Sequence, residues 1–203
     1  MSAAVESDRL LEQAIDYALR SVAEVTPDLM ASPTPCSEWD LAMLLQHSCE
    51  SLAALVEGVR LGCVSPAATT DDTRCTNMVG LFAARAAGLR DGWAQFSRQW
   101  VMLGEHRLSL SDFAAAGALE IATHGWDVAW ACGQPLPIPS ALADQLLAVA
   151  PRLVTDRDRA ALPGPAGPAA PLFGPPVPAP ADASASDRLA AFLGRTCTCG
   201  DLE

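Results

Sequence analysis

Leu119-Glu120-Ile121-Ala122-Thr123-His124-Gly125-Trp126-Asp127 is the stretch on which the reading of this chain turns. Glu120 and His124 stand four apart, so in a helix both side chains leave one face, a turn apart. That spacing makes a two-toothed grip for a metal ion. A solvated Glu–His pair of the same spacing is the duller alternative, and the stretch lacks the second histidine of an H-E-x-x-H helix. A third ligand would have to come from elsewhere, and the chain holds only His47, His106 and His124. His47 is the natural candidate, because it ends the apolar helical run Leu41-Ala42-Met43-Leu44-Leu45-Gln46-His47, where a free imidazole needs a partner. The alternative is a satisfied core histidine. Three nitrogen and carboxylate ligands suit zinc or a similar divalent ion and leave positions open for water or substrate.

Outward from this stretch, Ser109 to Cys132 predicts a long helix with Ser109 or Ser111 as N-cap and Gly133 as terminator. Phe113, Gly117, Glu120, His124, Asp127 and Ala131 fall on one side of it. Burying Glu, His and Asp together costs the hydration of the carboxylates, a difficulty that a central cation removes. The helix that carries His47 is expected from about Glu38 to about Val59, with Leu41, Leu44, Leu45, Ser48, Leu52 and Leu55 as its buried stripe. Ser37 and Asp40 resemble a capping box at its start, and Trp39 reads as a plug for the end of the core in preference to a stacking surface for a ligand. Cys49, two residues after His47, is about 200° around the helix from it and is a poor ligand.

The rest of the chain has the same character. Leu10, Leu11, Ala14, Ile15, Ala18, Leu19 and Val22 make one apolar stripe of a helix over Ser7 to Val25. Ser32-Pro33-Thr34-Pro35 is a stiff extended connector. Gly62 to Asp72 reads as loop, and Thr73 to Val101 as a helix whose Gly80, Gly88 and Gly92 each weaken it by roughly 1 kcal/mol against Ala. Arg85 and Arg90 on that helix fit a solvated face better than a substrate contact. His106 lies in the polar stretch Gly104-Glu105-His106-Arg107 and is expected to be exposed. Ser140 to Thr155 reads as one more helix, Pro163 to Pro180 as an extended strap, and Ser186 to Gly194 as a short final helix.

At 203 residues the chain has room for a sizeable core, and no apolar run reaches the length of a membrane span. The acidic N-terminus lacks the basic start and apolar centre of a secretory signal, so the protein is expected in the cytoplasm. Seven cysteines, an odd number without a small-scaffold rhythm, favour reduced thiols, and Cys197-Thr198-Cys199 is too closely spaced for a Cys-x-x-Cys site. A net charge of −11 with no lysine argues against nucleic acid as a partner.

Thr34-Pro35-Cys36-x-x-Trp39-Asp40 with Leu44-Leu45-x-His47, and His124-Gly125-Trp126-Asp127-Val128-Ala129 running to Gly133-Gln134-Pro135, resemble the metal-binding N-terminal domain of mycothiol-dependent maleylpyruvate isomerases and their actinobacterial relatives. Phe173-Gly174-Pro175-Pro176-Val177-Pro178, Asp187-Arg188-Leu189 and Leu193-Gly194-Arg195 are similar to the closing segment of a shorter subgroup. The resemblance implies an all-α, DinB-like four-helix bundle with a proline-rich C-terminal extension and short extra helices. Residues 1–160 would form the metal-binding bundle with the helix after it, and residues 161–203 a strap and short helix packed on the bundle. It also implies a divalent metal, commonly zinc, held by His47, Glu120 and His124, with mycothiol as thiol cofactor. The isomerase carries a sizeable mixed α/β domain after its bundle, where this chain offers only Pro135 to Glu203.

Three functions are compatible with these readings. The first is a metal-dependent transferase or isomerase in which a low-molecular-weight thiol attacks an electrophilic small molecule, with Asp127 behind a ligand or in helix packing. The second is a metal-assisted hydrolase or lyase using water, and the third a non-catalytic stress or regulatory module with a structural metal. Apolar faces on alanine-rich helices allow a monomer or a homodimer.

Overall fold

The computed structural model describes residues 3–36, 39–65, 77–134, 136–159, 162–164, 167–169 and 173–196. The chain divides into two units, Met1–Leu136 and Pro137–Glu203. The first carries four long helices, α1 (Ala3–Val22), α2 (Leu41–Leu61), α3 (Met78–Gln95) and α4 (Leu110–Ala131). Short polar side chains start three of them. Asp40 accepts from the Met43 amide at 2.9 Å, Asn77 from that of Gly80 at 2.9 Å and Ser109 from that of Asp112 at 3.1 Å. Asp40 is thus itself the cap, and α2 begins at Leu41 and not at Glu38, while Ser37 lies outside the described residues.

Side-chain contacts fix how the four helices run. Gly117 faces Leu11 and Leu55, and Gly125 lies against Ala18 and Tyr17, so α1 is parallel to α4. A Cβ on Gly125 would come within 3.0 Å of the Ala18 Cα, which is why the crossing needs glycine there. Gly58 abuts the Phe113 ring while Ser51 meets Glu120, so α2 is antiparallel to α4. Cys49 reaches the Met78 carbonyl and Val59 packs at Gly92, so α3 runs parallel to α2. The order is up-down-down-up, in which the parallel pair α2 and α3 requires a long connection. α4 is the innermost helix, buried from Phe113 to Ala115 and from Gly117 to Leu119, then again from Ile121 to Ala129. Every residue expected in the α2 stripe is buried, and the α1 stripe is buried except at Leu19, with Tyr17 added to it.

The unit is mostly but not wholly helical. α3 stops at Gln95, and Trp100–Leu103 forms a strand, β2, where a continuing helix was expected. β2 pairs antiparallel with β3 (His106–Ser109) and parallel with β1 (Cys63–Val64). The reversal is a two-residue turn between Leu103 and His106 with Gly104 at φ +57°, the left-handed conformation that such a hairpin demands of its first residue. Val101 is buried, so the hairpin contributes to the core while reversing the chain from α3 into α4. No helix among the described residues is long and apolar enough to cross a membrane.

The second unit holds α5 (Ser140–Leu153), the short strands β4 (Leu162–Gly164) and β5 (Gly167–Ala169), and α6 (Ala185–Phe192). The expected boundary at 160 therefore differs from the observed one: α5 groups with α6, its Leu142, Ala143, Leu146 and Ala150 being buried. The strand pair also corrects the reading of the proline-rich stretch as strap alone. Pro163 and Pro168 pair with each other, and a two-stranded ribbon has only edges, where a missing amide breaks no ladder. Just before it, Arg159 donates to the carbonyls of Gly174 and Phe192 from the segment that follows the ribbon, its guanidinium 4.8 Å from the Phe192 ring centroid. Cys197 and Cys199 lie outside the described residues.

Candidate metal centre

α2 and α4 bring His47, Glu120 and His124 to one point. His47 Nε2 donates to Glu120 Oε1 at 2.9 Å, and His124 Nε2 lies 3.3 Å from the same oxygen. The Ser51 hydroxyl, one turn beyond His47, donates to it as well at 2.8 Å. Ligand atoms from the three residues all lie within 4.8 Å of one another. Two imidazole nitrogens and a carboxylate are a donor set that zinc accepts. His106, by contrast, opens β3 as an exposed residue and takes no part, and Cys49 is buried against the Met78 carbonyl. Arg90 pairs with Asp16 on an exposed face, as expected of a solvated surface.

Behind this triad stands Asp127, fully buried, with its Oδ2 accepting the Nδ1 proton of His124 at 3.0 Å. Of the two roles expected for Asp127 the structure selects contact with the imidazole. That bond fixes the ring's tautomer and leaves Nε2 aimed at Glu120. The same Oδ2 accepts from the Cys36 thiol at 3.7 Å, and Cys36, His124 and Asp127 also form a close group of potential ligand atoms.

Electrostatics reflect the crowding of two carboxylates and two imidazoles. Burial acts to raise the Glu120 carboxyl, but the charge and hydrogen bond of His124, then those of His47, outweigh it and hold it well below the usual carboxylate range. Burial likewise opposes charge on His124. The Glu120 charge, followed by the hydrogen bond to Asp127, nonetheless pushes the imidazole up to about 9. The side chains on their own thus keep a proton on His124, one positive charge against the two carboxylates, whereas a divalent cation displacing that proton would bring two.

Two neighbours have roles that the sequence does not announce. Trp39 does not merely plug the core: its ring centroid lies 4.6 Å from that of His47 and 6.2 Å from that of His124, tilted over both. Cys36 reaches Asp127 across 91 residues of sequence. Both sit on one loop organised by buried Thr34, whose hydroxyl bonds the carbonyls of Cys36 at 3.0 Å and Trp39 at 2.8 Å. Ser51 had a signal, since it falls four residues after His47 on the same helical face. Cys36 had none outside its motif.

A four-helix core with a half-buried cluster of imidazole and carboxylate between its second and fourth helices defines a class of candidate metal-binding bundles. Within it, the chain belongs to the family described as the mycothiol maleylpyruvate isomerase N-terminal domain, whose model matches residues 11–129. It is 30% identical over 190 residues to the uncharacterized protein Rv0738 of Mycobacterium tuberculosis strain H37Rv, covering 91% of this chain and 95% of that protein. Uncharacterized protein MT0763 of Mycobacterium tuberculosis strain CDC 1551 is similar to the same extent, 30% identical over 91% of this chain and 95% of its own. Among solved structures, the fold is similar to that of the mycothiol-dependent maleylpyruvate isomerase, with a TM-score of 0.59 and 18% identity over 86% of this chain and 82% of the other. A histidine-to-alanine variant of that isomerase is similar at a TM-score of 0.59 and 16% identity, over the same shares.

Proposed function

We propose that the protein is a divalent-metal-dependent enzyme that uses a low-molecular-weight thiol of the mycothiol type to attack an electrophilic small molecule, as a transferase or isomerase. The convergence of His47, Glu120 and His124 on one point, from helices far apart in sequence, carries this reading. Family membership supports the thiol, and the donor set supports zinc as the metal. When bound, the ion supplies a coordination site at which a thiol loses its proton, or at which water does so if no thiol enters.

The chain's own residues prepare that site. Asp127 accepts the Nδ1 proton of His124 and so leaves Nε2, which faces Glu120, as the ring nitrogen that would hold the ion once its own proton is lost. Ser51 donates to Glu120 and keeps its carboxylate turned between the two imidazoles. Trp39 lies over both rings, excluding water from one side and limiting how they rotate. With His47 and Glu120 both about a quarter to a third exposed, the open side of the cluster is accessible to a small thiol.

Zinc stoichiometry of the purified chain beside His47→Ala tests the site: about one ion per chain falling to near none supports the reading, and an equal content in both overturns it. Mass spectrometry of electrophile adducts with mycothiol present or omitted tests the chemistry. Thiol-dependent adducts are expected, whereas hydrolysed products that form without thiol would replace the transferase reading with a hydrolase.

A further inference from the structure

Asp127 is the most deeply buried charge of the cluster, and its Oδ2 is held from two directions, by the His124 ring at 3.0 Å and by the Cys36 thiol at 3.7 Å. A second donor on the oxygen that holds the imidazole, arriving from another side, restricts rotation of the carboxylate about its side-chain torsion and so helps to keep the Nδ1 proton in place. Cys36 is itself anchored. Its amide donates to the Thr34 hydroxyl at 3.2 Å, its carbonyl accepts from the same hydroxyl at 3.0 Å, and the Trp39 amide donates to that carbonyl at 2.8 Å. The loop backbone therefore delivers the thiol to a fixed place. The same loop also presents Trp39 to the imidazole faces, so that two residues of one loop meet the His124–Asp127 pair, Trp39 at the ring and Cys36 at the carboxylate.

We propose that Cys36 is a positioning residue for His124, acting through Asp127: its S–H fixes the carboxylate that fixes the ring. This role rests on the metal-site reading above for its consequence in binding, but not for its structural content. The chain of contacts runs from the Thr34-braced loop to Cys36, to Asp127, to His124, and only then to the face shared with Glu120 and His47. A thiol in this place is a hydrogen-bond donor and contributes no bond to the ion.

Zinc affinity, measured by competition with a chromophoric chelator, is expected to fall about tenfold in Cys36→Ala and to stay within about twofold of the original in Cys36→Ser, whose hydroxyl keeps the donor. Asp127→Asn is expected to lose as much or more, and Cys36→Ala to add little on top of it, because both act through one link. Unchanged affinity in Cys36→Ala, or losses that add fully in the double variant, would overturn the proposal. Abolished binding in Cys36→Ala with His47→Ala unaffected would also overturn it, by making the sulfur a ligand.

A second readout needs no metal. In histidine-labelled, metal-free protein the Nδ1 proton of His124 is expected as a slowly exchanging NMR resonance, retained in Cys36→Ser and broadened or lost in Cys36→Ala at unchanged melting temperature. Persistence of that resonance in Cys36→Ala sinks the proposal whether or not the protein binds zinc, and failure of wild type to bind zinc with the resonance behaving as expected sinks only the metal reading.

Discussion

The seam between α2 and α4 has two halves built on opposite principles. Toward the end of α2, Phe113 occupies the space that a Cβ on Gly58 would take, and Leu55 covers Gly117, so the helices meet through apolar groups at close range. Toward its beginning the same two helices meet through Ser51, His47, Glu120 and His124, with Asp127 behind. The first half is what a bundle needs to hold together. The second takes Asp127 wholly and Glu120 mostly out of water and gives back hydrogen bonds and the attraction of a charged His124, an exchange that well-packed apolar side chains often equal or better in stability.

The largest expected effect comes from attacking the apolar half. Phe113→Ala is expected to lower unfolding free energy by about 4 kcal/mol in urea titrations, while the folded fraction binds zinc as before; a large change in affinity would mean that the halves are not separable. His47→Ala reverses the pattern. It should weaken zinc binding by on the order of a hundredfold and leave metal-free unfolding within about 0.5 kcal/mol of the original, since its side chain is one-third exposed.

Acidity sharpens the contrast further. The folded state raises His124 from its ordinary 6.5 to about 9, so the stability this proton contributes is complete below about 6.5 and is lost as pH climbs through about 9. Glu120, held low, works in the opposite sense, its contribution being lost only as the solution is made strongly acid. Melting temperature of the metal-free chain should therefore fall between about pH 7 and about pH 9.5, a slope that Phe113→Ala retains and Asp127→Asn reduces. A slope untouched by Asp127→Asn would detach that carboxylate from His124. The smallest effect is expected of Thr34→Ala, about 1 kcal/mol for the lost loop bonds, read together with a shift in tryptophan emission as Trp39 loses its place over the imidazoles.

Periodicity in the sequence carries the helices well, because α1 and α2 bury residues three and four apart and the caps of α2 and α4 are short polar side chains. The partners His47, Glu120 and His124 emerge from spacing and scarcity of histidine, with the family motif joining the two helices. The hairpin was hidden for a physical reason. Trp93, Phe96 and Trp100 continue a helical spacing past Phe96, where the backbone turns extended, and β2 becomes a strand only by pairing with Cys63–Val64 from far upstream. Trp39 and Cys36 were hidden because a loop has no period. Their positions depend on the Thr34 hydroxyl and on which helix lies opposite, neither of which a local pattern encodes.

The up-down-down-up winding has a temporal corollary. Glu120 comes 73 residues after His47, which at elongation speeds of about 5 to 20 residues per second is a delay of roughly 4 to 15 s. Throughout that interval a nascent chain displays its first imidazole without the carboxylate that will receive it. Joining the two is thus an event of late assembly, and anything that reads their union reads a chain whose last bundle helix has already left the ribosome.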